Sequence, residues 1–153
     1  MVKLLLDKNA DVNAQGGDYG NALQAASLGG HKQVVKLLLD KNADVNAQGG
    51  RFGNAFQAAS VGGHEQVVKL LLDKNANVNA QGGNYGNALQ AASFRGDEQV
   101  VKLLLDKNAD VNAQGGDYGN ALQAASHGGY KEVVVELLVN KGAVAFAKGI
   151  DPL

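Results

Sequence analysis

The chain has 153 residues and a net charge of -1; 45% of its residues are hydrophobic against 19% charged, the balance of a folded, soluble body. Its positive and negative side chains are interspersed, so there is no basic field for phosphates and a nucleic-acid partner is not expected. Zero cysteines exclude disulfides, thiolate metal ligands and thiol nucleophiles, and with 5% aromatic residues and 21 glycines the core has to come from Leu, Val and Ala and the connections from Gly.

The opening apolar run, residues 2–6, is far too short for a membrane span or a signal peptide and is ended by Asp7 and Lys8. A soluble, intracellular (cytoplasmic) chain with no membrane partner is expected. Residues 1–10 read as the second half of a structural unit, and Val2, Leu4, Leu5 and Leu6 are expected to face a helix the chain does not supply, leaving an apolar end. Asn21 is a good N-cap for a short helix predicted over 22–28, whose Ala22, Ala25 and Ala26 permit close approach of a neighbour. Gly29 and Gly30 break it. A second helix is predicted over 32–41, with Val34, Val35, Leu38 and Leu39 at helical spacing and Lys36 and Asp40 on the other side. Asn42 is a candidate left-handed residue at its end. Residues 43–52 hold Gly49 and Gly50 and few apolar side chains after Val45, which predicts an extended connection with a tight turn.

The pattern then returns. VVKLLLDKNADVNA at 34–47 recurs at 67–80, with Asn77 in place of Asp, and at 100–113, so that Leu6, Leu39, Leu72 and Leu105 stand 33 residues apart. GNALQAAS at 20–27 keeps the same step at Gly53, Gly86 and Gly119. Self-similarity at this period implies a stack of supersecondary units, each unable to bury its apolar face alone. The expected organisation is a partial unit at 1–17, full units at 18–50, 51–83 and 84–116, and an atypical last unit at 117–150. HGGYKEVVVELLVNKGA after Ser126 is one residue longer than FRGDEQVVKLLLDKNA after Ser93, which places an insertion near 130–133. The apolar stretch 143–147 replaces Asp and Asn in that unit, and 151–153 are expected to trail off without structure.

A unit of 33 residues with a short helix, Gly-His, VVKLLL, an Asp-Val-Asn-Ala segment and a projecting hairpin resembles the ankyrin repeat. ADVNA stands at 10–14, 43–47 and 109–113, and Gly-His at 30–31 and 63–64. Where the family has Thr-Pro-Leu-His, this chain has Asn21-Ala22-Leu23-Gln24, with Asn54-Ala55-Phe56-Gln57 as the most changed copy; Asn and Gln are expected to do the hydrogen bonding of Thr and His. The turn departs further, the family's Asp being Gly16 and its Gly falling on Tyr19 with Gly20 following. This variant is similar to the ankyrin arrays carried by large fungal proteins of the NLR-like type. The resemblance implies an all-α solenoid of stacked helix-turn-helix units with projecting β-hairpin or turn loops, binding a protein partner through its concave face without a cofactor.

Little in the chain suggests chemistry. His31 and His64 occupy the same place in successive units, about 10 Å apart if the layers stack, too far to share a metal, and are expected to cap the helix-helix turn. His127 falls in the last turn of a first helix. No Gly-Lys-Ser/Thr follows a Gly-rich turn, Glu65 and Asp73 sit on a solvated face, and no Ser-His-Asp motif is present, so no enzyme, metal or cofactor is expected. Variation between units is more informative, because it marks places where the fold does not dictate the side chain. Three rows differ most: Asp18, Arg51, Asn84 and Asp117, and Tyr19, Phe52, Tyr85 and Tyr118 at the turns, then Leu28, Val61, Phe94 and His127 at the ends of the first helices. The resemblance implies that these residues line the concave partner-binding surface, and Tyr, Phe and Arg are the residues enriched in interface cores. The aromatic row could equally pack between adjacent hairpins; in the Leu28 row the changes of size and polarity favour binding. The near-identity of the units also fits a consensus-like, designed or fragment repeat protein with no dedicated partner, self-associating through its apolar ends.

Overall fold

A computed structural model of the chain describes residues 1–129 and 132–144. Among these residues there are nine helices and no strand: α1 (Val2–Asp7), α2 (Ala22–Leu28), α3 (Lys32–Asp40), α4 (Ala55–Gly62), α5 (Glu65–Asp73), α6 (Ala88–Arg95), α7 (Glu98–Asp106), α8 (Ala121–Gly128) and α9 (Glu132–Asn140). Their starts carry the sequence period. α2, α4, α6 and α8 begin 33 residues apart, as do α3, α5 and α7, whereas α9 begins 34 after α7; the one-residue offset therefore lies between Gly129 and Glu132. No helix among the described residues is long and apolar enough to cross a membrane. The expectations for 145–147 and 151–153 lie outside the described residues.

Each first helix starts behind an extended asparagine, and the Oδ1 atoms of Asn21, Asn54, Asn87 and Asn120 accept the N–H of the glutamine three residues on at 2.8–2.9 Å. That satisfies one of the N–H groups a helix start leaves without an internal partner. The second helices end on left-handed asparagines, Asn9, Asn42, Asn75 and Asn108, at φ 65–68°, as the sequence suggested for Asn42. Behind Asn42 the Ala43 N–H returns to Leu38 O at 2.9 Å and the Asn42 N–H to Leu39 O at 3.1 Å, which closes the carbonyl end of α3. Gly142, at φ 93°, takes that place after α9.

The first helices lie close upon one another, and small side chains allow it: Ala58, Ala59, Ala91, Ala92, Ala124 and Ala125 are fully buried. The second helices, faced with Leu and Val, stand further apart, so the stack curves with the first helices on its inner side. One core runs along the stack through Leu23, Phe56 and Leu89 on the first helices and Val35, Leu38, Val68, Leu71, Val101, Leu104, Val134 and Leu138 on the second.

Polar side chains tie successive units together. Gln24 Nε2 donates to Gly49 O and Gly53 O at 2.8 and 3.0 Å, and Gln57 and Gln90 make the same pair of bonds to Ala80 and Gly86 and to Gly115 and Gly119. On the opposite edge Asn13, Asn46, Asn79 and Asn112 each donate through Nδ2 to the end of the next second helix and accept through Oδ1 the N–H two residues further on. The expectation for Gln holds, with the addition that its bonds cross to the neighbouring unit.

The N-terminal expectation is corrected in part. Val2 and Leu6 pack against the core of the stack, and only Leu4 and Leu5, at 57% and 53% exposure, point away from it. Leu5 is the counterpart of Leu38, which is 1% exposed beneath its own first helix.

Candidate protein-binding surface

The projecting turns are tighter than strand hairpins. Gly82 and Gly86 form a single antiparallel bridge, as do Gly115 and Gly119, and the three residues between them make the tip. Gly53 is required at such a turn: its φ is +83°, and a methyl group there would overlap Gln57 Oε1. The tips are joined by a backbone ladder, with Arg51 N–H donating to Asp18 O, Asn84 N–H to Arg51 O and Asp117 N–H to Asn84 O, each at 2.8 Å. This ladder holds the backbone of the most variable row and leaves all four side chains exposed.

Beside it runs the aromatic row, in two segments. Tyr19 stacks on Phe52 with ring centroids 6.3 Å apart, and the Arg51 guanidinium carbon lies 5.6 Å from the Phe52 centroid, within cation–π range. Tyr85 and Tyr118 are 6.0 Å apart, and the helix-end row joins them: Phe94 is 5.5 Å from Tyr85 and stacks on Tyr118 at 4.8 Å, while His127 is 4.8 Å from Tyr118 and 6.0 Å from Phe94. Packing between hairpins and exposure thus coexist in this row, since Tyr19 is 53% exposed and Phe52, Tyr85 and Tyr118 are half-buried. Leu28 and Val61 are half-buried and stand outside the ring cluster. Burial pushes the Tyr85 phenol above its ordinary value of 10.0, Tyr118 adds to the rise, Arg51 opposes it, and Asp117 adds again.

Two hollows flank Tyr85. One, of about 440 Å³, is lined by Arg51, Phe52, Asn84, Tyr85, Asp117 and Tyr118. The other, of about 350 Å³, is lined by Val61, Tyr85, Phe94 and Arg95. Arg95 was not among the residues expected from the sequence, although a signal was there: the other units carry Gly29, Gly62 and Gly128 at that place.

The histidine expectation needs correcting. Neither His31 nor His64 caps the helix that follows it. His64 lies against Gly30 and Gly62, and its Nε2–H donates to Leu28 O at 2.8 Å, closing the end of the preceding unit's first helix. In the next unit Asp97 stands at the histidine position and does cap its own helix, Oδ1 accepting Val100 N–H at 3.1 Å. There Arg95 makes the reach across units, Nη1 lying 3.5 Å from Val61 O. His31 is exposed, and His127 sits at the end of α8 as expected.

Paired helices repeating at one period, tied to the next pair by side chains and curved around their first helices, define a helical-repeat solenoid. The family profile described as Ankyrin repeats (3 copies) matches residues 1–49, 51–115 and 89–153, and the chain belongs to the ankyrin-repeat family. Members of this family generally serve as non-catalytic protein-interaction modules. No curated protein matches the chain closely enough to count as a relative.

Proposed function

We propose that this chain is a protein-binding array that grips its partner on the concave side, through the turn tips and the ends of the first helices. Its units are 18–50, 51–83 and 84–116, between a partial unit at 1–17 and an atypical one at 117–150. The observation that carries the reading is the ring cluster of Tyr85, Phe94, Tyr118 and His127, partly exposed on the inner side and built from the rows that vary between units. A preorganised aromatic surface loses little side-chain freedom on binding, which is how a rigid array gains affinity. A standard interface buries about 800 Å² per partner, within reach of a stack of this length.

The test is a pull-down comparing the parent with Phe94→Asp and Tyr85→Ala. Partner capture is expected to fall in both while circular dichroism stays unchanged; capture that persists in both folded variants removes the concave-face assignment. A second reading, self-association, is supported by the exposed Leu4 and Leu5. Light scattering would then give a mass that rises with concentration and returns to the monomer in Leu4→Glu/Leu5→Glu.

A further inference from the structure

Resting on the concave-face reading, we infer that the hollow lined by Val61, Tyr85, Phe94 and Arg95 takes an acidic peptide segment: a side-chain carboxylate of the partner pairs with the Arg95 guanidinium while a neighbouring apolar or aromatic side chain lies on Phe94 and Tyr85. Four observations lead to it. The chain has two arginines, Arg51 and Arg95, and each borders a hollow that shares Tyr85 as a wall. Among the described residues neither is in an ion pair, whereas Lys69 and Lys102 on the outer helices pair with Glu65 and Glu98 at 2.8 and 2.7 Å.

The fold does not require Arg95, since glycine serves at the same place in the other units. The side chain is exposed and its one hydrogen bond within the chain is the long contact to Val61 O, so most of the five-donor guanidinium fork remains free. Finally, no carboxylate lines this hollow, in contrast to its neighbour, where Asp117 stands beside Arg51. Asp97, two residues on from Arg95, is engaged through Oδ1 with the start of α7. A planar cation beside two aromatic rings matches a carboxylate next to an apolar side chain: the fork binds both oxygens, and the rings exclude water from the pair.

The experiment selects random short peptides displayed on phage against the whole chain, with the Phe94→Asp protein as counter-selection. Peptides retained only by the parent are expected to carry Asp or Glu adjacent to Phe, Tyr or Leu. As synthetic peptides they should lose affinity roughly three- to tenfold with Arg95→Gln, and equally when their own acid is replaced by its amide, the two changes together costing no more than one. Added salt should weaken binding to the parent and hardly affect binding to Arg95→Gln. Unchanged thermal unfolding of Arg95→Gln would show that the loss is one of contact. Binders to this face that lack acids, or that are indifferent to Arg95→Gln, overturn the acidic-peptide assignment and leave the concave-face reading standing. If no selected peptide distinguishes the parent from Phe94→Asp, both fall.

Discussion

Asn46 and Gln57 join the same two neighbouring units from opposite edges, and their surroundings give them different weights. Asn46 is exposed; its Nδ2 donates to Asn75 O at 3.2 Å and its Oδ1 accepts the Asn77 N–H at 2.8 Å. In Asn46→Ala water can reach the freed groups, so a loss of about 1 kcal/mol is expected in chemical denaturation. Gln57 is buried, with Nε2 held between Ala80 O and Gly86 O. In Gln57→Leu those carbonyls lose a buried donor, and the expected loss is about 2–3 kcal/mol; a smaller loss than in Asn46→Ala would contradict this account. Tyr85 supplies a pH test. Its raised phenol pKa means that the folded state holds the proton more tightly than the unfolded chain. The associated stability is complete below the unfolded value of 10.0 and is lost as pH rises from there through the folded value. Parent and Tyr85→Phe melts compared across that range should therefore converge or cross, the parent losing stability with pH faster than the variant. That Asn and Gln would hydrogen-bond was legible in the sequence; that their partners lie on the next unit was not, because those partners are backbone groups about thirty residues away with no local signature.

The helices are bounded by different devices at their two ends. First helices start on an asparagine side chain, and second helices end on an asparagine backbone in the left-handed region. At Asn75, φ 68°, glycine adopts that conformation without strain and alanine does not. Asn75→Gly is expected to leave the melting temperature nearly unchanged, and Asn75→Ala to cost about 1 kcal/mol. Equal effects from the two would mean that the asparagine side chain, and not the backbone angle, matters there. The sequence marked both devices, since an Asn before an Ala-rich helix and an Asn after Leu-Leu-Leu-Asp-Lys are local patterns. It misled on His64, whose place just before a helix resembles an N-cap. The imidazole turns the other way because Gly30 and Gly62 leave room beside the Leu28 carbonyl, and that space belongs to the previous unit.

At the scale of the whole array, stability should fall toward the ends. α1 has no buried residue, whereas α4 buries six, from Ala55 to Ser60, because neighbours cover it on both sides. Native-state hydrogen exchange should find α1 amides exchanging first and those of α4 to α7 last; uniform protection along the chain would argue against nearest-neighbour coupling. The same dependence on neighbours decides how far the sequence alone could be read. Helices, caps, period and the extra residue of the last unit follow from the order of residues, since each rests on propensities and contacts within a few positions. The three variable rows were visible as variation, but their assembly was not. Phe94 meets Tyr118 and His127 because stacking brings together residues 24 and 33 positions apart, and Arg95 joins Val61 and Tyr85 at a hollow only once two units are in contact. The sequence determined the unit and its repetition; packing of one unit on the next decided which side chains are buried, which are left facing outward, and what surface they form together.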